Sequence, residues 1–372
     1  MSWRRSVVSS VTAATLAILL VPVRSPAQAS RAPTQPGFAA TIAALSEPGG
    51  YFDTDNLISN ERSFLHVVPD LRTLSAQAGR NGVYLGVGPD QNFSYIAHLR
   101  PSLAILIDIR RDNLLLHLLF KSLFAASRTR VEYLALLTGR APPPAAGWEK
   151  QSIEAIVTHV DTAMPMGEDA VRALRDRLTA IVTGFGVPLT DGDRQTIDRF
   201  HRRFILAGLS LQFNTTGRAP QYGYPTYRDL LLEVDRTGTR RSFMATEGDF
   251  HFVKDLQARD RVIPVVGDLG GMTALAAVAR HLRAAGLEAA AFYTSNVEFY
   301  LFRDGTFPRF VANLSRLPRQ PGSVIVRSVF PAGGAGALAM PGYNSASITQ
   351  PIQQLVDGYA KGRFRQYWEL IR

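Results

Sequence analysis

At 372 residues, with 46% hydrophobic residues, the chain is long enough to bury a large core, and its make-up is that of an ordinary globular protein. The formal charge of +10 comes almost wholly from scattered arginines. Only Lys121, Lys150, Lys254 and Lys361 are lysines, and no basic tract with interleaved aromatics points to nucleic acid. There is no cysteine, which excludes disulfides, thiolate metal sites and a cysteine nucleophile.

The first 29 residues read as a cleavable export signal. Arg4 and Arg5 precede an apolar run to Val23, and Ala27-Gln28-Ala29 forms a small-x-small cleavage site before Ser30. This predicts a periplasmic or secreted protein beginning at Ser30, with no membrane span left after cleavage. An uncleaved anchor, or a cytoplasmic protein with a misread leader, is the alternative. Residues 30–81 read as a helical segment with loops. Within it, Asn56, Ser59, Asn60 and Glu61 form a polar cluster, suited either to a lid over a ligand or to helix capping.

The chemistry begins at Gly82-Val83-Tyr84-Leu85-Gly86-Val87-Gly88-Pro89-Asp90. An apolar run enters a glycine turn, and a helix pattern follows from Gln91 to Leu99. A second apolar run, Leu103 to Ile107, ends in Asp108. Strand, glycine turn, helix, strand and acid make the opening of a nucleotide-binding α/β unit, with the acid placed for ribose hydroxyls or, as the alternative, for capping the helix that opens near Arg111 or pairing with Arg110 or Arg111. Gly86 and Gly88 allow a close backbone approach. Pro89 removes one backbone donor, and Asp90 puts negative charge where a helix N-terminus would hold a pyrophosphate, which disfavours NAD or FAD. Asp90 then caps the helix or faces a ligand amino group. A ribose-bearing ligand with an amino-acid end and no phosphate, such as S-adenosylmethionine, fits best. A plain strand-turn-helix with no ligand is the alternative.

Residues 111–138 give one long helix pattern, mostly buried, with Asn113, His117 and Lys121 on a wet stripe. Pro142-Pro143-Pro144 marks a break. Residues 141–240 read as a helical insertion between two halves, 82–140 and 241–342. Strands return at 261–268, ending in Gly267-Asp268, at 288–293, ending in Thr294-Ser295-Asn296, and at 323–330. In the 343–372 tail, Thr349 to Trp368 reads as helix with Thr349 as its cap. Strands alternating with helices predict a Rossmann-like, mostly parallel sheet with helices on both faces. A ligand would then meet the turn after Leu85, Asp108, Asp268 and Asn296 at the strand ends. Asn296 is placed to orient a substrate amine or hydroxyl, and Glu298 to act as a base; a turn-forming Asn and a solvated Glu are the bland readings. Glu247, Asp249 and His251 do not share a helical face, no His-x-x-x-His pair occurs, and no metal site is expected.

Together these residues resemble the class I S-adenosylmethionine-dependent methyltransferases. Gly86-x-Gly88 is similar to the family's first glycine motif, and Gly267-Asp268 to its Gly-Asp after the third strand. The chain also resembles an uncharacterised bacterial family related to a Leptospira hypothetical protein, through Asn56 to Glu61, Tyr84 to Tyr95, Asp108 to Leu119 and Ser295 to Glu298. The methyltransferase resemblance implies a cofactor site made of Gly86, Gly88, Asp90, Asp108 and Asp268 under Asn60 and Glu61. It further implies that Asp108 holds the ribose, that Asp268 holds the adenine amino group, and that Asn296 and Glu298 stand at the reacting centre of a small-molecule substrate. Two positions depart from the pattern: Tyr84 stands where the family carries an acid, and Asp90 where it carries a third glycine. An exported protein with a decayed, non-catalytic site of this kind is the alternative function.

Overall fold

The computed structural model describes residues 1, 3, 37–77, 82–144, 146–215, 223–330 and 338–371. The expected leader therefore lies outside the described residues, apart from Met1 and Trp3. Residues 37–372 form one compact unit. It begins with α1 (Phe38–Leu45), a 3-10 turn (Arg62–Val67) and α2 (Val68–Gln77). Then come β1 (Gly82–Gly86), α3 (Gln91–Leu99), β2 (Leu103–Asp108), α4 (Arg111–Ala126) and α5 (Arg130–Leu137). The insertion holds α6 (Ile153–Thr162), α7 (Glu168–Gly184), α8 (Asp191–Ala207) and α9 (Tyr227–Leu231). The second half runs α10 (Glu247–Ala258), β3 (Val262–Val266), α11 (Ala274–Ala284), β4 (Glu288–Ser295), α12 (Val297–Arg303) and α13 (Phe307–Arg316). It closes with β5 (Arg319–Val329), β6 (Ala346–Pro351), α14 (Ile352–Ala360) and a 3-10 turn (Tyr367–Leu370).

The strands form one α/β sheet in the order β3-β2-β1-β4-β5-β6, with helices packed around it. β1 to β5 are parallel and only β6 runs antiparallel, against β5. β1 and β3 are buried throughout, and β2 is buried up to Asp108. This explains why they read as continuous apolar runs rather than alternating ones. The order reverses beside β1, which lies between β2 and β4, so the switch point opens at the carboxyl ends of β1 and β4. Among the described residues, no helix is long and apolar enough to cross a membrane.

Three expectations are corrected here. The 111–138 pattern is two helices, because the chain turns extended at Ser127 and Thr129, and the Thr129 hydroxyl caps α5 by accepting from the Glu132 amide. The residues around Thr349 are strand, not a helix start: Thr349 pairs with Val326, and α14 begins only after Pro351. The polar stripe of α4 is also dry. Asn113, His117 and Lys121 are all buried. The Lys121 ammonium is held by the Gln257 carbonyl and by Asp260 at 2.8 Å, over the rings of Phe38 and Phe185, and burial lowers its pKa.

Candidate functional site

The glycine turn after β1 is built by a side chain within α3. Asn92 donates through Nδ2 to the carbonyls of Val87 (2.8 Å), Gly88 (3.2 Å) and Pro89 (2.7 Å). Its Oδ1 accepts from the Tyr84 hydroxyl at 2.6 Å. Gly86 is glycine for this reason: a Cβ there would lie 2.0 Å from Asn92 Oδ1. It therefore makes room for the side chain that ties the turn, not for a ligand, and it does not line the cavity described below. Tyr84, in the place of the expected acid, anchors that same side chain. Gly88 is different. Its φ of +81° is a left-handed conformation that disfavours a side chain, and it does line the cavity. The Gly88 carbonyl also accepts from His117 Nε2 at 2.9 Å. The proton therefore sits on Nε2, and burial pushes the imidazole pKa down to about 4, so the ring is neutral.

Asp90 turns away from the cavity. It stands at the N-cap position of α3, but its backbone is helical and its side chain makes no capping bond. Its buried carboxyl instead accepts from the Tyr227 hydroxyl at 2.7 Å, across 137 residues of sequence. Neither the capping role nor the ligand-amine role is what the geometry gives it. Burial raises its pKa from 3.8 to about 6, against the Tyr227 bond, which lowers it. A folded-state pKa above the unfolded one means that this group's stabilising contribution is full below about pH 4 and lost as pH rises through 6. Asp90→Asn should therefore melt higher than wild type at pH 8, by up to about 3 kcal/mol in stability. The gap should grow between pH 4 and 6 and vanish below; thermal melts of both proteins at pH 3.5, 5 and 8 check it.

A cavity of about 870 Å³ opens at the carboxyl ends of the strands. Gly88 after β1, Asp108 closing β2, Asp268 after β3 and Asn296 after β4 all line it. Asn60 and Glu61 approach from the segment before the sheet. Asp108, Asp268 and Asn296 meet there, and of the glycine turn after Leu85, Gly88 joins them while Gly86 does not.

Their partners, however, limit what each can do. Asp108 Oδ1 accepts from the Arg110 amide (2.9 Å) and from Arg110 Nε (3.0 Å), and Oδ2 accepts from Arg110 Nη2 at 2.9 Å. A carboxylate offers about four acceptor sites, so roughly one remains, which is too few to hold both ribose hydroxyls. The Asp268 carboxylate accepts from the Gly270 amide at 2.8 Å and shapes its own turn. Asn296 begins α12 without capping it, and its Oδ1 lies 3.4 Å from Ser295 Oγ. Ser295 before it holds a left-handed φ of +53°. Glu298 is not a base facing the cavity. It is fully buried and doubly bonded to Arg327, itself fully buried in β5, at 2.6 and 3.0 Å.

Glu61 is the titratable group at this site that sequence reasoning undervalued. Its buried carboxyl accepts from the hydroxyls of Tyr293 (2.5 Å), Ser295 and Ser328, so the ends of β4 and β5 meet on it. Burial raises its pKa, and those three hydroxyls pull it back. A carboxylate that lines the cavity and is ringed by neutral donors is placed to accept a proton from a bound group. Gln91 stands beside it, with Nε2 donating to the Tyr293 hydroxyl at 3.3 Å. Gln91 Oε1 and Thr54 Oγ1, on residues that line the cavity, are buried without a hydrogen-bond partner among the described residues. The roles of Asn92 and Arg327 went unread, while the pairing of Asp108 with Arg110 is the alternative that the adjacent arginines offered.

A family model described as a domain of unknown function (DUF7790) matches residues 57–180 and 212–359. The comparison with curated proteins found no match.

Proposed function

We propose that this chain, which belongs to the DUF7790 family, binds an adenosyl ligand, S-adenosylmethionine, in the strand-end cavity and transfers its methyl group to a small molecule. The observation that carries the reading is the convergence of Gly88, Asp108, Asp268 and Asn296 on one cavity at the switch point of a Rossmann-like sheet. The charge balance supports a ligand without phosphate. Among the described lining residues the only cations are Arg110 and Arg303, and each is doubly held by a neighbouring acid, Asp108 and Asp304. The unpartnered Gln91 Oε1 and Thr54 Oγ1 fit a ligand with several donors. When bound, S-adenosylmethionine supplies an electrophilic methyl group. In this reading the left-handed turn at Gly88 lets backbone approach the ligand. Asp108 accepts one ribose hydroxyl, Asp268 accepts the adenine amine, Asn296 orients the substrate, and Glu61 takes the proton that the nucleophile releases. Such sites act chiefly by positioning the reactants.

Glu298, locked to Arg327, and Asp90, turned to Tyr227, favour a second reading. In it the same cavity binds its ligand without catalysis, in an exported protein that begins at Ser30. Calorimetric titration with S-adenosylmethionine and S-adenosylhomocysteine tests the first claim, with binding in the micromolar range expected. No heat from either at millimolar concentration overturns the adenosyl site in both readings. Binding of both, with no methyl transfer to any acceptor offered, favours the second.

A further inference from the structure

Part of the cavity lining is aromatic. Phe52 comes from the segment before the sheet, Phe299 and Tyr300 from α12, and Tyr367 and Trp368 from the carboxyl-terminal 3-10 turn. Their ring centroids form a continuous chain: Phe52 to Tyr300 at 4.9 Å, Tyr300 to Phe299 at 5.5 Å, and Phe299 to Tyr367 and Trp368 at 5.6 and 6.4 Å. None of these pairs is stacked in parallel, and a face of Tyr300 carries the Arg303 guanidinium 5.0 Å from its centroid, which leaves Phe299 and Trp368 for face-to-face contact with a guest. A single exposed aromatic on a surface carries no message, but a contiguous set inside a concavity does. Phe299 is 38% exposed and Tyr51, beside Phe52 on the same cavity, 78%.

Volume points the same way. Pockets for one drug-sized ligand span roughly 300–1,000 Å³, and this one, at about 870 Å³, is near the top of that range. The strand-end residues account for only part of this lining, and the aromatic side chains make up another, contiguous part. Charge then narrows the guest. The two lining arginines are each neutralised by an acid, while Glu61 and Asp268 also line the cavity, so an anionic guest meets no unmatched cation there.

We propose that this aromatic half is an acceptor subsite for an uncharged, planar aromatic small molecule. The assignment as acceptor rests on the adenosyl reading, since the aromatic half is the space that ligand leaves open. The probe is 2-naphthol, titrated calorimetrically into the full chain, with 2-naphthoate as its anionic counterpart and S-adenosylhomocysteine titrated in parallel. The expected results are binding of 2-naphthol, binding of 2-naphthoate at least about tenfold weaker, and a loss on the order of two- to tenfold for 2-naphthol in Phe299→Ala and in Trp368→Leu. Phe299 is exposed enough that its truncation leaves the core intact, and melting temperatures of both variants confirm the fold. No 2-naphthol binding, equal binding of the anion, or unchanged affinity in a folded Phe299→Ala would overturn the subsite. S-adenosylhomocysteine failing while the 2-naphthol pattern holds would overturn the adenosyl reading alone and leave an aromatic-binding pocket.

Discussion

Glu298→Ala should destabilise the protein by about 3–5 kcal/mol, because it leaves the Arg327 guanidinium buried without its counter-charge. Arg327 and Glu298 are both fully buried, and among the described residues Arg327 pairs with no other acid and makes one further bond, to the Leu370 carbonyl at 3.4 Å. The pair joins β5 to α12, and α12 carries Phe299 and Tyr300 at the cavity wall. Replacing both partners with apolar residues of similar size removes the unmatched charge. Glu298→Leu with Arg327→Met should therefore be more stable than either single variant, and close to wild type. Urea denaturation of the four proteins gives the coupling directly. A Glu298→Ala protein as stable as wild type, but with an altered pH profile for ligand binding, would return Glu298 to a role in proton transfer.

That pair also shows where sequence stops informing. The parallel strands were legible because strands buried on both faces are continuous apolar runs ending in punctuating residues, as at Asp108 and Gly267-Asp268. β6 was not, because Ala-Ser-Ile-Thr-Gln-Pro at the sheet edge has too few apolar residues to show a period. Thr349 was read as a helix cap on its residue type, yet pairing with Val326 decided its conformation. At the site, position was more legible than partnership. The acids at strand or helix ends were read mainly as ligand or catalytic groups, with capping of α3 also offered for Asp90 and pairing with Arg110 or Arg111 for Asp108. Three of them proved to be held by protein instead: Asp108 by Arg110, Asp90 by Tyr227 and Glu298 by Arg327. The last two partnerships span 137 and 29 residues, so no local pattern encodes them. The α4 stripe failed for the same reason. His117 and Lys121 are satisfied by carbonyls of Gly88 and Gln257, which arrive from other parts of the chain.

Asp108→Ala should weaken an adenosyl ligand and destabilise the fold together, and the two effects can be separated. Asp108 and Arg110 are about nine-tenths buried, and once the carboxylate is gone Arg110 keeps, among the described residues, one hydrogen bond, to the Thr54 carbonyl at 2.9 Å, and the weaker fields of Asp112 and Asp55. An unmatched charge at this depth costs several kcal/mol, about 3 if the cavity lets water reach it. The one acceptor site left on Asp108 would give a ribose hydroxyl a charge-assisted bond of about 1.5–3 kcal/mol, so its loss should lower affinity on the order of 10- to 100-fold. Adding Arg110→Met removes the orphaned guanidinium and should recover most of the stability. S-adenosylhomocysteine titrated into that double variant then decides the role of Asp108. Recovered melting temperature with affinity still lost means that Asp108 touches the ligand. Recovered stability with wild-type affinity means that it only anchors Arg110, and that the ribose, if bound, is held elsewhere in the cavity.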